Sequence, residues 1–313
     1  MSFANTLNSG PLPEKPWRTG AVVCLLVSVI IGIMTGAVIT MVFRYFETPE
    51  TSSVYEFLAL CAGAFLAYIA AIVLLFRAWP LEDIYEINET KLILLLALVF
   101  SGMFLTYFAG RQIKGGIELK NPVVAMSIAM LTFQGAALLM VHFFLRQHHI
   151  GWLEGFGFDR NPSQSLLIGI GAGILVLYPV LRLNELCFHL FERLTLHPQE
   201  QQAVEILRQA NTFLGRAVSF VGTVLIAPAG EEILFRGVLY PWAKRKFSQS
   251  AALWGTALLF GFIHVNLSSF IPLTLLAVIL VLLYEYTGNL LAPIAVHCVF
   301  NGANFIALFY QQK

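Results

Sequence analysis

The sequence predicts an all-α protein, a polytopic membrane helix bundle with eight or nine transmembrane helices. Of its 313 residues, 58% are hydrophobic and only 12% are charged, whereas soluble domains carry about 25% charged residues. A surface with so few charges mostly does not face water. The length of the chain is therefore better divided into membrane spans of about 20 residues than into soluble domains.

Nine apolar runs give the positions of these spans. Those between residues 251 and 287 are short and closely linked, so the prediction is eight or nine helices and not a single number. The runs cover residues 20–43, 57–76, 92–109, 122–145, 165–181, 217–243, 251–265, 271–287 and 290–310.

A polar, glycine-containing linker at residues 146–165 divides the chain into two predicted domains. Residues 1–150 form a four-span accessory membrane domain, and residues 151–313 form the second domain. A further connector, residues 197–217, has apolar residues on one helical face and Gln, Glu and Arg on the other. That pattern fits a helix lying at the membrane surface, and it equally fits an ordinary connector helix.

Composition and motifs exclude several classes of protein. A net charge of +1 gives no nucleic-acid footprint, and the four cysteines lack the spacing of a disulfide framework or a zinc knuckle. HExxH, GxSxG, the P-loop and the dinucleotide fingerprint are all absent. The polar, proline-rich first 20 residues lack the apolar core of a removable signal peptide, so we expect the first apolar run to remain as a span. The basic run at 244–246 favours a cytoplasmic position for that end, while oligomeric state stays open.

Charged residues interrupt one apolar run, in the stretch LIAPAGEEILFRGVLYP. A carboxylate in the bilayer core costs roughly 2.5–3.5 kcal/mol, so two of them need a reason. Glu232 and Arg236 are four residues apart and can pair on one helix face. Glu231 points about 100° away without a local cation, which suits a base that faces a cavity. The alternative is a structural ion pair near a helix end, with Glu231 reaching the interface.

Two further runs carry polar groups at one-turn spacing. His264 closes LLFGFIHVN one turn after Phe260, and IAVHCVFNGAN places Asn301 four residues after His297. Taken alone, His264 is typical of a satisfied core or interfacial histidine. A polar stripe on a membrane helix can likewise serve only to join helices.

The three runs together indicate the parts of a hydrolytic site. A carboxylate can deprotonate water, imidazoles can donate to a developing oxyanion, and an amide can orient one of them. Intramembrane ionisable groups usually pair and face inward, so a shared, water-containing cavity is the economical arrangement. Glu285, between two tyrosines at the end of a run, is interpreted as interfacial, with a place in the cavity as the alternative.

These motifs resemble those of the CPBP family of intramembrane proteases, which are related to the type II CAAX prenyl endopeptidase. EEILFRG fits its EExxxR motif, FGFIH its FxxxH motif and HCVFN its HxxxN motif, in the same order. YTGNLLAPIAVH and GFGFDRN also resemble stretches of that domain. The resemblance covers roughly residues 150–310. In residues 1–150 we identify no resemblance to a known family.

The resemblance implies a role for each matching residue. It implies that Glu231 activates a water molecule, supported by Glu232 and Arg236, and that His264 polarises the scissile carbonyl or its oxyanion. The remaining residues of the implied site, which complete the cavity or support it, are His297, Asn301 and Phe260.

Members of this family are often named metalloproteases, and two versions of the chemistry follow. A glutamate base with two oxyanion donors requires no cofactor, and this is the version we favour. In the alternative, Glu231, His264 and His297 would bind zinc and Glu232 would be the base.

The sequence therefore predicts an intramembrane endopeptidase, with membrane lipid and a membrane-associated or lipidated peptide or protein as its partners and no nucleic acid. The compact chain and its accessory domain favour the inner (plasma) membrane of a bacterium as its location. Two alternatives remain: a proton-coupled transporter with a buried Glu/His relay, and a catalytically idle immunity or scaffold protein.

Overall fold

A computed structural model describes residues 12–47, 130–194, 208 and 212–310. The secondary structure of these residues is helical throughout, which confirms the all-α prediction for them. Four of their helices are long and apolar enough to cross a membrane, and three shorter ones are also apolar. The predicted spans at 57–76 and 92–109, and most of the connector at 197–217, lie outside the described residues. The count of eight or nine spans therefore stays a prediction.

The contacts within the chain divide it into two units. One is residues 18–144. Its described helices are α1, Thr19–Glu47, and α2, Ala136–Gln147, and a π-helical turn, Met130–Gly135, precedes α2. The last residues of α2 belong to the other unit. The other, which we call the C-terminal unit, contains residues 145–313 and also residues 12–17. The predicted accessory domain included those first residues, and its boundary at 150 stays a prediction.

Six helices make up the described part of the C-terminal unit. Helix α4 packs against α7 and α8, α6 packs against α7, and α5 packs against α8. Their fully buried core lies between α6, α7 and α8 and includes Phe260, Leu276, Leu280 and Val296. The helices are α3, Trp152–Phe156; α4, Pro162–Arg193; α5, Phe213–Lys246; α6, Gln249–Ile263; α7, Leu267–Thr287; and α8, Leu291–Tyr310.

Helix α4 continues well beyond the apolar run at 165–181 that predicted it. Its last three turns carry polar residues that pair with one another on the exposed face. Arg182 donates to Glu185 over 2.6 Å, and His189 lies 3.4 Å from Glu192. The same turns carry apolar residues at helical spacing on another face, at Leu183, Leu186, Cys187 and Leu190. The stretch is therefore amphipathic, and its charged residues end the continuous apolar run from which the shorter element was predicted.

Two glycines allow α4 to approach α8 closely. A Cβ atom on Gly169 would lie 2.4 Å from the carbonyl oxygen of Ala292, and one on Gly173 would lie 2.9 Å from Val299 Cβ. Gly171, between them, faces open space. Small residues that let backbones approach are typical of membrane helix interfaces.

Helix α5, which carries the EExxxR motif, is irregular in two places. Val221–Ile226 and Ile233–Leu239 are π-helical segments, in which backbone bonds join residues five apart. After the second segment, Pro241 lacks the N–H that would bond the Gly237 carbonyl in a regular α-helix. Such segments leave backbone carbonyls open to partners from other helices.

The turn before α8 is held by the stretch that precedes α4. Gly157 and Gly288 both have positive φ, at 73° and 62°, and a Cβ on Gly157 would fall 2.0 Å from the Gly288 oxygen. The buried Asn289 donates from Nδ2 to the Arg160 carbonyl over 2.7 Å. This contact between the GFGFDRN and YTGN stretches fixes where α8 begins.

Residues 12–17, which we call the N-terminal strap, lie against α5. Trp17 is fully buried and donates from Nε1 to the Gly237 carbonyl over 2.9 Å. Arg245 Nη1 donates to the carbonyls of Lys15 and Trp17, over 2.9 and 3.1 Å. The strap is therefore bound to both ends of the segment that follows the EExxxR motif.

We predict that Gly169→Ala destabilises the protein, because its Cβ would meet a backbone atom that cannot rotate away. Overpacking of this kind typically costs about 1–3 kcal/mol. The measurement is the thermal unfolding midpoint in detergent. Gly171→Ala is the matched control and should be neutral or slightly stabilising. Equal midpoints for the two variants would contradict the close α4–α8 contact.

A second prediction concerns pH. Burial, together with the nearby Arg160, lowers the pKa of Lys15 from 10.5 to about 8, against the opposing carboxylates of Glu154 and Asp159. Between those two pH values the unfolded chain binds more protons, so this residue makes stability rise with pH. Lys15→Met should be more stable than wild type at pH 8, with the difference in midpoint narrowing towards pH 10.5. If the thermal unfolding midpoints of wild type and Lys15→Met change in parallel between pH 8 and pH 10.5, the lowered pKa of Lys15 is contradicted.

Candidate active site

The acidic motif on α5 forms a buried ion pair. Arg236 Nη1 donates to Glu232 Oε1 over 2.9 Å, and the two residues are 1% and 0% exposed. Arg236 Nη2 also donates to the carbonyl of Ala277 on α7 over 3.3 Å. The pairing expected from the four-residue spacing is present, and it also joins α5 to α7.

The Glu232 carboxylate has a second donor. His297 Nδ1 lies 2.9 Å from Glu232 Oε1, and because a carboxylate oxygen accepts, this ring nitrogen carries the hydrogen. His297 is 3% exposed and stands on α8. One carboxylate oxygen therefore accepts from a guanidinium on its own helix and from an imidazole on another.

Phe260 lies at the centre of the aromatic and cationic contacts. Its ring is fully buried on α6, and the Arg236 guanidinium carbon is 4.4 Å from its centroid. The rings of His264 and His297 are 4.8 and 5.8 Å from it, and Phe235 packs edge-on at 5.2 Å. A cation over an aromatic face is attracted by the ring quadrupole, so Phe260 stabilises Arg236 while it orders both histidines.

Glu231 faces both imidazoles. Its Oε2 lies 4.0 Å from His264 Nε2 and 3.9 Å from His297 Nε2. These separations exceed a direct hydrogen bond, and each is wide enough for one bridging oxygen atom. The structure thus brings a carboxylate of α5 within 4.0 Å of imidazoles of α6 and α8.

His264 terminates α6 and is the more accessible histidine. Its Nδ1 donates to the Phe260 carbonyl over 2.7 Å, which fixes the ring with Nε2 towards Glu231. The next residue, Val265, has φ of 49°, an uncommon conformation for a β-branched residue, and Asn266 caps α7. Side-chain exposures of 22% for His264 and 15% for Glu231, against 4% for His297, show that the site opens on the side of this loop.

Asn301 is placed differently from the rest of the set. It donates from Nδ2 to the Thr223 carbonyl in the first π-helical segment of α5, over 2.9 Å. Its hydrogen bond therefore joins α8 to α5 one turn beyond His297. Asn304, three residues further along α8, is exposed and donates to the Phe300 carbonyl of its own helix.

Sequence reasoning gave Glu285 no partner, and the structure shows two. Tyr240 donates to Glu285 Oε1 over 2.6 Å, and Lys244 lies 2.5 Å from the same atom. Tyr240 and Lys244 share one face of α5 at four-residue spacing, which was the available signal. This cluster joins the end of α5 to α7, and the interfacial position of Glu285 stays a prediction.

The distances around Glu231 can be compared with those of a zinc site. A tetrahedral zinc ion with bonds of about 2.0–2.1 Å would hold its ligand atoms about 3.3 Å apart. The observed separations of 3.9 and 4.0 Å are wider and match a hydrogen-bonded water better as the side chains stand. In the described ranges, no group of three His, Cys, Asp or Glu side chains has an arrangement suited to a metal ion.

Comparison with known families gives a match over this part of the chain. Residues 213–303 match the family described as Rce1-like, the type II CAAX prenyl endopeptidase Rce1-like proteins. The matched stretch runs from the start of α5 into α8 and contains all three motifs. The resemblance stated from the motifs is thereby confirmed for this segment, and the apolar helices agree with an integral membrane protein.

A curated relative and the solved structures add little about activity. Over 81 residues the chain is 40% identical to "Uncharacterized protein YpbD" of Bacillus subtilis (strain 168). That stretch is 25% of this chain and 38% of the relative, so the chain spans well under half of the relative's length. No solved structure matches the chain.

We predict that Arg236→Met strongly destabilises the protein, because it leaves the Glu232 carboxylate buried without its cation. Breaking one side of a buried pair costs about 3–5 kcal/mol. In the double variant Glu232→Gln/Arg236→Met no unpaired charge remains, and the neutral amide still accepts from His297, so part of the loss should be recovered. The measurement is the thermal midpoint in detergent, with Arg182→Met, on an exposed pair, as the control. A double variant less stable than Arg236→Met would contradict this account.

Proposed function

We propose that this protein is an intramembrane endopeptidase that uses a glutamate-activated water, because residues 213–303 match the family described as Rce1-like, type II CAAX prenyl endopeptidase Rce1-like. The single observation that carries the proposal is the position of Glu231 Oε2, 4.0 and 3.9 Å from the Nε2 atoms of two histidines on different helices. A water molecule bound to Glu231 Oε2 on this side would lie next to both imidazoles.

In the proposed reaction, Glu231 takes a proton from this water as its oxygen attacks the scissile carbonyl carbon. The carbonyl oxygen then becomes the oxyanion of a tetrahedral intermediate. When the C–N bond breaks, the proton held by Glu231 passes to the leaving amine. His264 and His297 stabilise the oxyanion, and Glu232 holds His297 in place through its Nδ1.

The hydrogen bonds of the two histidines set a condition on this chemistry. In both rings Nδ1 already donates, to the Phe260 carbonyl and to Glu232, so Nε2 donates to an oxyanion only when the ring carries both hydrogens. One ring that donates from Nε2 needs one proton more than the two neutral rings hold, and donation from both rings needs two. With both glutamates ionised and Arg236 charged, the first of these protons brings the net charge of the cluster to zero, the economical state inside a membrane.

The accessible side of the site supports the choice of substrate. Glu231 and His264 are the partly exposed members, whereas Glu232, Arg236 and His297 are buried. A peptide would therefore enter beside the loop at 264–266, between the ends of α6 and α7. The proposed substrate is a peptide bond of a membrane-associated or lipidated protein, processed in a bacterial inner membrane. Phe260 and Asn301 would support the site through their contacts with Arg236 and with the Thr223 carbonyl of α5.

The test is cleavage of a fluorogenic peptide library, with and without a prenylated cysteine, by the full chain in liposomes. Glu231→Gln and His264→Ala should each lower kcat/KM by at least about 100-fold, the usual contribution of an acid–base group. The matched controls, Glu192→Gln and His189→Ala, remove an exposed pair on α4 and should retain activity. Cleavage that survives in both site variants would overturn the proposal.

Repeating the cleavage assay with a zinc chelator distinguishes the metal-free mechanism from the zinc-dependent one. The metal-free reaction should be unchanged after treatment with a zinc chelator. Loss of activity that added zinc restores would favour Glu231, His264 and His297 as ligands with Glu232 as the base. Proton flux that depends on Glu231, without cleavage, would instead favour a transporter.

A further inference from the structure

We propose that Trp17 is a positioning residue for the catalytic segment of α5, so that the N-terminal strap is part of the active unit although it lies outside the segment that matches the family. This inference rests on the proposed function for its effect on the reaction. Its structural half, that the strap holds residues 233–239 in place, stands on the contacts alone.

The first observation is the hydrogen bond that the Gly237 carbonyl accepts from outside α5. The donor to this oxygen in a regular α-helix would be residue 241, which is proline and has no N–H. The Trp17 indole N–H donates to it over 2.9 Å, and both residues are buried. Removing a donor from a buried carbonyl is destabilising.

The second observation is that Gly237 has no freedom to move elsewhere. A Cβ on this residue would lie 2.6 Å from the Phe156 ring, so α3 packs directly on its backbone. Trp17 itself is fully buried, with its ring edge-on to His148 at a centroid distance of 5.3 Å. The backbone of Gly237 is therefore held between α3 on one side and the strap on the other.

The third observation is that the strap has a second, independent anchor. Arg245, two turns beyond Gly237 on α5, donates hydrogen bonds to the carbonyls of Lys15 and Trp17. The strap thus spans α5 from Gly237 to Arg245, across the proline. The strap therefore stabilises α5 from outside, at the point where its backbone bonding changes from π-helical to α-helical.

These contacts lead from Trp17 to the reacting groups in three steps. Gly237 is joined covalently to Arg236, Arg236 pairs with Glu232, and Glu232 orients His297. If residues 233–239 were less firmly held, the His297 imidazole and the neighbouring Glu231 would shift relative to each other. Because Trp17 does not touch the reacting groups, its loss should affect the chemical step and leave peptide binding intact.

The test compares Trp17→Phe, which keeps an aromatic ring and removes the donor, with wild type. We expect kcat to fall about tenfold with KM unchanged, since one buried hydrogen bond is lost. Hydrogen–deuterium exchange in detergent should rise at the amides of residues 233–239. Arg245→Met, which releases the other anchor, should change both readouts in the same direction.

Two controls separate positioning from general destabilisation. Trp254→Phe replaces an exposed tryptophan on α6 and should change neither readout. Gly169→Ala destabilises the fold through the α4–α8 contact, which the strap does not touch, and should lower the thermal midpoint without raising exchange at 233–239. Unchanged exchange at 233–239 in Trp17→Phe, or a kcat loss no larger than in Gly169→Ala at equal folded fraction, would overturn the inference. If wild type cleaves nothing, the proposed function fails, and the exchange experiment still decides whether the strap braces α5.

Discussion

The arrangement of the C-terminal unit depends on one carboxylate oxygen, Glu232 Oε1. It accepts from Arg236 on its own helix and from His297 on α8, at 2.9 Å in each case. Arg236 extends the connection to the Ala277 carbonyl on α7 and to the face of Phe260 on α6. Four helices therefore converge on a single ion pair. Buried charges are costly unless each is paired and hydrogen-bonded, so an arrangement that satisfies them is strongly favoured over any other packing.

This constraint also explains why the second glutamate is available for chemistry. Glu232 is committed to structural partners, so Glu231 alone is left facing the two Nε2 atoms and the accessible loop at 264–266. The adjacent positions of the motif point in different directions because successive helical residues differ by about 100°. One glutamate builds the site and its neighbour is placed to react, which is how two carboxylates of the same type acquire different roles.

The irregular backbone of α5 serves the same arrangement. Its two π-helical segments flank Glu231 and Glu232, and side chains from elsewhere in the chain bond a carbonyl in each segment. Asn301 bonds the Thr223 carbonyl in the first segment, and Trp17 bonds the Gly237 carbonyl in the second. π-Helical segments occur frequently at functional sites. Here each one gives a remote residue a fixed attachment to the helix that carries the motif.

The sequence by itself determined the helical class, the apolar runs and the polar residues of the three motifs, because hydropathy and one-turn spacing are local properties. It predicted the Glu232–Arg236 pair for that reason, whereas it made α4 too short, since the helix continues beyond its apolar run as an amphipathic stretch with an exposed polar face. Only the tertiary structure decided that His297 belongs to Glu232, that Asn301 braces α5, and that Glu285 has Tyr240 and Lys244 as partners. It alone placed Trp17 on Gly237, more than 200 residues away in the chain. Contacts between distant segments depend on which faces the helices bury against one another, and no local pattern contains that information.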